Sequence, residues 1–92
     1  MIRSFRHRGL RRLFERDDPS RIAADLLERI ALALADLDAA SKPSDIDLPG
    51  YRLHPLRGDR RGLWSIAISG NWRITFRFEA GDVYEVDLID YH

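Results

Sequence analysis

The apolar positions of this chain change period near its middle. In residues 7–16, Leu10, Leu13 and Phe14 fall at i, i+3 and i+4, opposite Arg8, Arg11, Arg12 and Glu15, which predicts a short amphipathic helix. Asp18-Pro19 then has the chemistry of a helix start, with Asp as the cap and Pro at the first helical position. Beyond it Ile22, Leu26, Ile30, Leu34 and Leu37 line up on one side, so a second, longer helix is expected over residues 19–40, paired with the first as a hairpin.

Residues 41–50, rich in Pro, Ser and Asp, divide this half from one with a period of two. Trp64, Ile66 and Ile68 alternate with smaller or polar neighbours, and Ser69-Gly70-Asn71 follows as a turn. Trp72, Ile74, Phe76 and Phe78 share one face of the next strand, and Arg73, Thr75 and Arg77 the other. After a turn at residues 79–82, Tyr84, Val86 and Leu88 are expected on one face of a last strand. A shorter strand over 51–55 puts Leu53 inward and Arg52 and His54 outward, and residues 2–5 read as another short strand. The expected fold is α+β: two N-terminal helices packed on one face of a curved, mainly antiparallel sheet. Strand parity leaves His54, Arg73, Arg77 and Tyr91 together on the uncovered face.

Composition changes this picture in two ways. With 92 residues the chain suits a single domain over residues 1–92, burying only about 60–65% of its unfolded surface, so a binding partner is expected to contribute to its stability. Hydrophobic content of 45% and charged content of 33% indicate a folded soluble domain. There is no cysteine, which removes disulfide, thiol and cysteine–zinc chemistry and fits a cytoplasmic location. Neither a signal peptide nor a membrane span is apparent. The net charge of zero hides four alternating blocks. Residues 1–16 and 51–77 each carry +5, and residues 17–50 and 78–92 each carry −5. Such a layout can create a local positive field on a neutral protein.

Little in the sequence has the form of a known chemical motif. The histidines His7, His54 and His92 lack zinc-site spacing, so no metal or other cofactor is expected. There is no glycine-rich phosphate loop and no nucleophile elbow. A basic open face with histidine and tyrosine remains. RNA can be cut without a metal when the ribose 2′-OH attacks the adjacent phosphate. That reaction needs proton transfer at two oxygens and fixed positive charge on the phosphoryl group. Histidine and arginine suit those tasks. Each candidate also has a purely structural reading. His54 can be a strand-edge residue, Arg73 can pair with Asp87 across strands, and Tyr91 and His92 can be a frayed tail. The arginines Arg6, Arg8, Arg11, Arg12, Arg52, Arg57, Arg60, Arg61 and Arg77 can form solvated faces or an RNA-binding surface.

Several blocks together resemble one family. Ile2-Arg-Ser-Phe-Arg-His-Arg-Gly-Leu10, Leu53-His-Pro-Leu-Arg-Gly-Asp59, Gly62-Leu-Trp-Ser-Ile66, Asn71-Trp-Arg-Ile-Thr-Phe76, Gly81-Asp82-Val-Tyr84 and Asp90-Tyr-His92 occur in the order expected of HigB toxins, in the RelE/ParE superfamily. The resemblance implies the RelE/ParE-type α+β fold and a type II toxin that cleaves mRNA in the ribosomal A site without a metal. It implies His54, Asp90, Tyr91 and His92 as functional residues, with Arg73 on the scissile phosphate. It also implies a HigA-type helix-turn-helix antitoxin, in a heterotetramer, through which alone operator DNA is contacted. Two positions depart from the pattern: Arg57 stands where lysine is common, and Ile89 where an acidic residue is common. Three other functions share the same surface: a ParE-like gyrase inhibitor, a non-catalytic ribosome binder, and a plain basic interaction module.

Overall fold

A computed structural model describes residues 1–91; His92 lies outside the described residues. Helix α1 spans Arg8–Arg16. Its start is capped by His7, whose Nδ1 accepts the Leu10 N–H at 3.1 Å. One of the three histidines is thereby committed to an orphan donor of the first helical turn. The helix ends at Asp17, in the left-handed region with φ 55°.

The second helix is shorter than its apolar stripe suggests. Helix α2 spans Leu27–Ala39, and residues 19–26 form two successive turns instead. The Asp18 carboxylate accepts from Ser20 N–H, and Ile22 N–H and Leu26 N–H donate to the carbonyls of Pro19 and Ala23. These bonds close tight i→i+3 turns rather than starting a helix. Ile22 and Leu26 are buried all the same, at 8% and 6% exposure. A four-residue apolar spacing is satisfied equally well by turns that return each side chain to the core. Past α2, the chain makes a 3₁₀ turn at Pro43–Ile46 that buries Ile46.

The sheet has four strands in the order β1–β2–β3–β4, all antiparallel: His54–Pro55, Trp64–Ala67, Trp72–Glu79 and Asp82–Asp90. The predicted strand over 51–55 is reduced to two residues. Arg52 sits at φ 50°, which breaks an extended ladder, and Pro55 has no N–H to donate. Leu53 nonetheless packs on the core, and Arg52 and His54 are exposed, as the alternation requires. Residues 2–5 contribute isolated parallel bridges, Ile2 to Val83 and Phe5 to Val86, along the outer edge of β4. That edge is further tied down by Ile2 N–H donating to Asp38 Oδ1 of α2 at 2.9 Å.

The core lies between the helices and one sheet face. Leu10, Ile30, Leu34 and Leu37 meet Ile66, Ile74, Phe76, Val83 and Val86, each no more than 2% exposed. Trp64, Trp72 and Leu88 are half-buried against this cluster. The observed class is therefore the expected one, two helices on one face of a mainly antiparallel sheet. The opposite sheet face has no helix over it.

Candidate functional site

The turn joining β3 to β4 is a two-residue hairpin, Ala80-Gly81, with φ of 51° and 85°, and it pairs Glu79 with Asp82. From there Phe78 opposes Val83 on the core side and Arg77 opposes Tyr84 on the open side. Simple alternation would continue this register to the chain end. It does not, because β4 carries one extra residue between the Arg77–Tyr84 and Thr75–Asp87 pairs. Glu85 takes up the bulge with φ 56°.

This bulge decides what lies on the open face. It separates Tyr84, outward beside Arg77 from the hairpin on, from Val86 and Leu88, against the expectation that the three share a face. It also restores Val86 and Leu88 to the core and sends Asp87, Ile89 and Tyr91 outward, beside Arg73 and Thr75. A one-residue change of register would exchange those two sets.

The same register corrects the cross-strand pair expected for Arg73. Asp87 stands opposite Thr75, and Arg73 stands opposite Ile89, so no Arg73–Asp87 ion pair forms. The guanidinium of Arg73 instead lies over the ring of Tyr91, 5.2 Å from its centroid. Its Nε is buried and without a hydrogen-bond partner among the described residues. An unpaired buried donor is unfavourable by about 1–3 kcal/mol, more if charged, so the position is poised for an acceptor that the described residues do not supply.

Tyr91 and Asp90 are not a loose tail. Tyr91 N–H donates to the Asn71 carbonyl, and the Asn71 side-chain amide donates to Asp90 Oδ1 at 2.7 Å. Asn71 belongs to the β2–β3 turn, so one turn residue fixes the end of β4. His92 follows directly and, outside the described residues, receives no structural account.

Arg52, His54, Ser65, Arg73 and Tyr91 line one cavity of about 270 Å³. Four of these five were expected on this face, and they come from three separate stretches of sequence. Ser65 is the small residue opposite Thr75 that leaves space beneath them. Arg6 and Arg60 line a neighbouring cavity of about 280 Å³ with Asp59, Asp87 and Ile89. Arg57 and Arg61 flank the 3₁₀ turn Gly58–Arg60 and are exposed.

The remaining arginines are not brought to these cavities. Arg8, Arg11 and Arg12 lie on α1, with Arg11 near Glu15 at 4.0 Å and Arg12 near Asp18 at 3.8 Å. Arg77 shares the open face but is paired with Glu79, donates from Nε to Glu85 at 2.9 Å, and lies over Tyr84. The Glu79 and then the Glu85 carboxylate hold its guanidinium still more firmly protonated.

Asn71, which braces the site, and Arg29, which lies outside its cavity, hold places that carry no local signal. Asn71 reads as a turn former, and its bond to Asp90 spans 19 residues of sequence. Arg29 lies on the polar side of the α2 stripe and reaches the sheet only in the folded chain, where its Nη1 donates to the Ile68 carbonyl. Among the described residues no cluster of three or more His, Asp or Glu could hold a metal ion, and no helix is long and apolar enough to cross a membrane.

Comparison with known proteins places this geometry. Residues 3–92 match the HigB-like toxins, described as the RelE-like toxin of the type II toxin–antitoxin system HigB. Over 92 residues, all of both chains, the sequence is 46% identical to the endoribonuclease HigB of Proteus vulgaris. Among solved structures, a YoeB/ParE toxin from Agrobacterium tumefaciens superposes with a TM-score of 0.60 at 18% identity, over 100% of this chain and 99% of that one. YafQ from E. coli strain BL21(DE3) does so with 0.55 at 12% identity, over 98% and 93%. At those identities the structural likeness concerns the fold alone. The full-length sequence match settles the family: the chain belongs to the HigB-like, RelE-type toxins of type II toxin–antitoxin systems.

Proposed function

We propose that this chain is an endoribonuclease toxin that cleaves mRNA in the ribosomal A site, so stopping translation and growth. The observation that carries the reading is the cavity in which His54, Arg73 and Tyr91 converge, with a buried Arg73 donor awaiting an acceptor. The family and the Proteus vulgaris endoribonuclease supply the class of chemistry.

In this mechanism the ribose supplies its own nucleophile. The 2′-OH attacks the adjacent phosphate, the 5′-oxygen leaves, and no metal is needed to generate an attacking group. His54 and His92 exchange the two protons, one taking that of the 2′-OH and the other protonating the leaving oxygen. Arg73 neutralises charge developing on the phosphoryl oxygens, where a preorganised donor stabilises the transition state more than the ground state. Tyr91 stacks on a base next to the scissile bond, and Asp90, held by Asn71, keeps the terminal residues in register with it. The ribosome presents the mRNA in an extended, strained form and takes over part of the positioning. Arg6, Arg52, Arg57, Arg60 and Arg61 surround this face and meet ribosomal and messenger phosphates.

A HigA-type helix-turn-helix antitoxin neutralises the toxin in a heterotetramer, and operator DNA is contacted through that antitoxin. The test is induction of the chain with and without its antitoxin, with mapping of mRNA 5′ ends. Cuts at a fixed position within in-frame codons, absent with His54→Ala or on removal of His92, are the expected result. Growth arrest without such cuts would overturn the nuclease reading in favour of a ribosome-binding or gyrase-directed inhibitor, which a supercoiling assay separates.

A further inference from the structure

A second cavity adjoins the one that holds His54 and Tyr91. It measures about 300 Å³ and lies between α2 and the β2–β3 turn. Arg29, Arg52 and Arg73 line it, together with Gly50 and Gly70. Arg52 and Arg73 also line the first cavity, so the two share a wall of guanidinium groups.

We propose that this cleft is a second phosphate subsite, which takes the internucleotide phosphate next to the scissile one in single-stranded RNA. The proposal rests on the nuclease reading of the adjoining cavity. Three observations carry it. No carboxylate lines either cavity, and none of the three arginines forms an ion pair among the described residues. The contrast is the cavity of Arg6 and Arg60, of similar size, where Asp59 and Asp87 supply the counter-charge.

Second, Arg29 is placed rather than waving in solvent. Its Nη1 donates to the Ile68 carbonyl at 3.2 Å, which anchors one corner of the guanidinium and leaves its other donors to the cleft. Arg73 enters the cleft with its Nε buried and unpartnered. Third, Gly50 and Gly70 line the cleft, so at these two positions no side chain stands between a ligand and the backbone. Planar guanidiniums of this kind match phosphate oxygens in pairs. A shared Arg52–Arg73 wall between two anion sites suits two consecutive phosphates of one strand, since each arginine can bridge them.

The test uses the full chain with 2′-O-methylated oligonucleotides, which bind but lack the attacking hydroxyl. A dinucleotide offers one internucleotide phosphate and a trinucleotide two. NMR titration at low ionic strength should show the wild-type chain binding the trinucleotide about tenfold more tightly, the ratio typical of one charge-assisted contact. Arg29→Gln should abolish that preference and leave dinucleotide affinity unchanged, with Arg29→Lys restoring most of it. Unperturbed amide shifts at the buried strand positions Ile74 and Val86, away from the Arg29–Ile68 contact, would show that the fold has survived either change.

Equal affinity of the wild-type chain for both oligonucleotides would overturn the proposal. So would an Arg29→Gln variant that weakens both alike, because Arg29 would then act through the fold or the general field. Inorganic phosphate binding as tightly as the trinucleotide would mark a free-anion site and overturn it too. So would Arg29→Gln sparing RNA while weakening an acidic antitoxin segment. A dinucleotide that leaves the amides around His54 and Tyr91 unmoved is a different failure, since it would sink the nuclease reading itself.

Discussion

The open face of β3 carries two arginines four residues apart, and they could hardly be more alike locally. Each lies over a tyrosine of β4, Arg73 over Tyr91 at 5.2 Å and Arg77 over Tyr84 at 5.3 Å. Their electrostatic surroundings differ completely. Arg77 is bracketed by Glu79 and Glu85, and its charge is spent within the fold. Among the described residues, Arg73 has no carboxylate in either cavity it lines and a buried donor with no partner. Arginine on a sheet face is therefore no evidence of a binding site. Arginine left uncompensated is, because a folded chain does not retain an unpaired buried donor for stability.

The comparison breaks most sharply by removing each side chain in turn. Arg73→Ala should lower RNA cleavage by about 100- to 1,000-fold, the loss typical of one transition-state donor. Its melting temperature should hold or rise, since the change deletes an unsatisfied group. Arg77→Ala should show the converse: cleavage within about threefold of wild type, since its charge is already neutralised by surface pairs of small net value, with a small fall in melting temperature. Cleavage assays and thermal unfolding on the same preparations check both halves. Equal loss of activity in the two variants would mean that the open face acts as an undifferentiated basic patch.

Asn71 supports only the Arg73 end. Asn71→Ala removes the amide that holds Asp90 while sparing the backbone bond from Tyr91. The expected loss of cleavage is about three- to tenfold, the worth of one partly solvated hydrogen bond to a charged acceptor. NMR relaxation should show faster motion at residues 90–92 and none added at the hairpin end.

Neutralising the acids at the other end sharpens the difference from the opposite direction. Glu79→Gln with Glu85→Gln frees Arg77, which should then bind RNA without catalysing anything. The logarithmic salt dependence of single-stranded RNA binding should steepen by about 0.7, the increment for one added phosphate contact, with no gain in cleavage.

Much of this contrast was legible in the sequence. The two-residue period of β3 places Arg73 and Arg77 opposite the core, and the Val86–Leu88 alternation, carried forward, turns Tyr91 to the same side. The part that was not legible is the bulge at Glu85. A glutamate at positive φ carries no propensity signal, so alternation alone puts Tyr84 inward and gives no sign of the Glu85–Arg77 pair. The register it sets also ruled out the expected Arg73–Asp87 pair. Residues 19–26 depart from their pattern for another reason: helix and turns can bury Ile22 and Leu26 equally, and the Asp18–Ser20 bond favours the turn. Arg29 and Asn71 join the site through contacts far apart in sequence, which local pattern does not encode.

The smallest expected effect concerns the hairpin end alone. Asp82 accepts from Arg3 Nε at 3.0 Å and lies near the terminal ammonium, which fastens the N-terminal segment beside β4. The Arg3 hydrogen bond holds the Asp82 carboxyl below its ordinary 3.8. A carboxyl depressed in the folded state stabilises it above the unfolded value, and that contribution fades as pH falls through the folded value. The stability difference between wild type and Asp82→Asn should therefore be constant down to about pH 5 and shrink below about pH 4. The ion pair lies at the surface with its Arg3 side half-exposed, so the difference should be small and diminish further in high salt. Thermal unfolding at stepped pH reads it directly. No such acid step is expected from the described lining of the Arg73 cavity, which holds no carboxylate. A wild-type-to-Asn difference that persisted unchanged at pH 3 would mean that the Arg3–Asp82 bond does not stabilise the fold, and that the N-terminal segment is held to β4 by its backbone bridges and the Glu85 N–H bond to Ser4 Oγ.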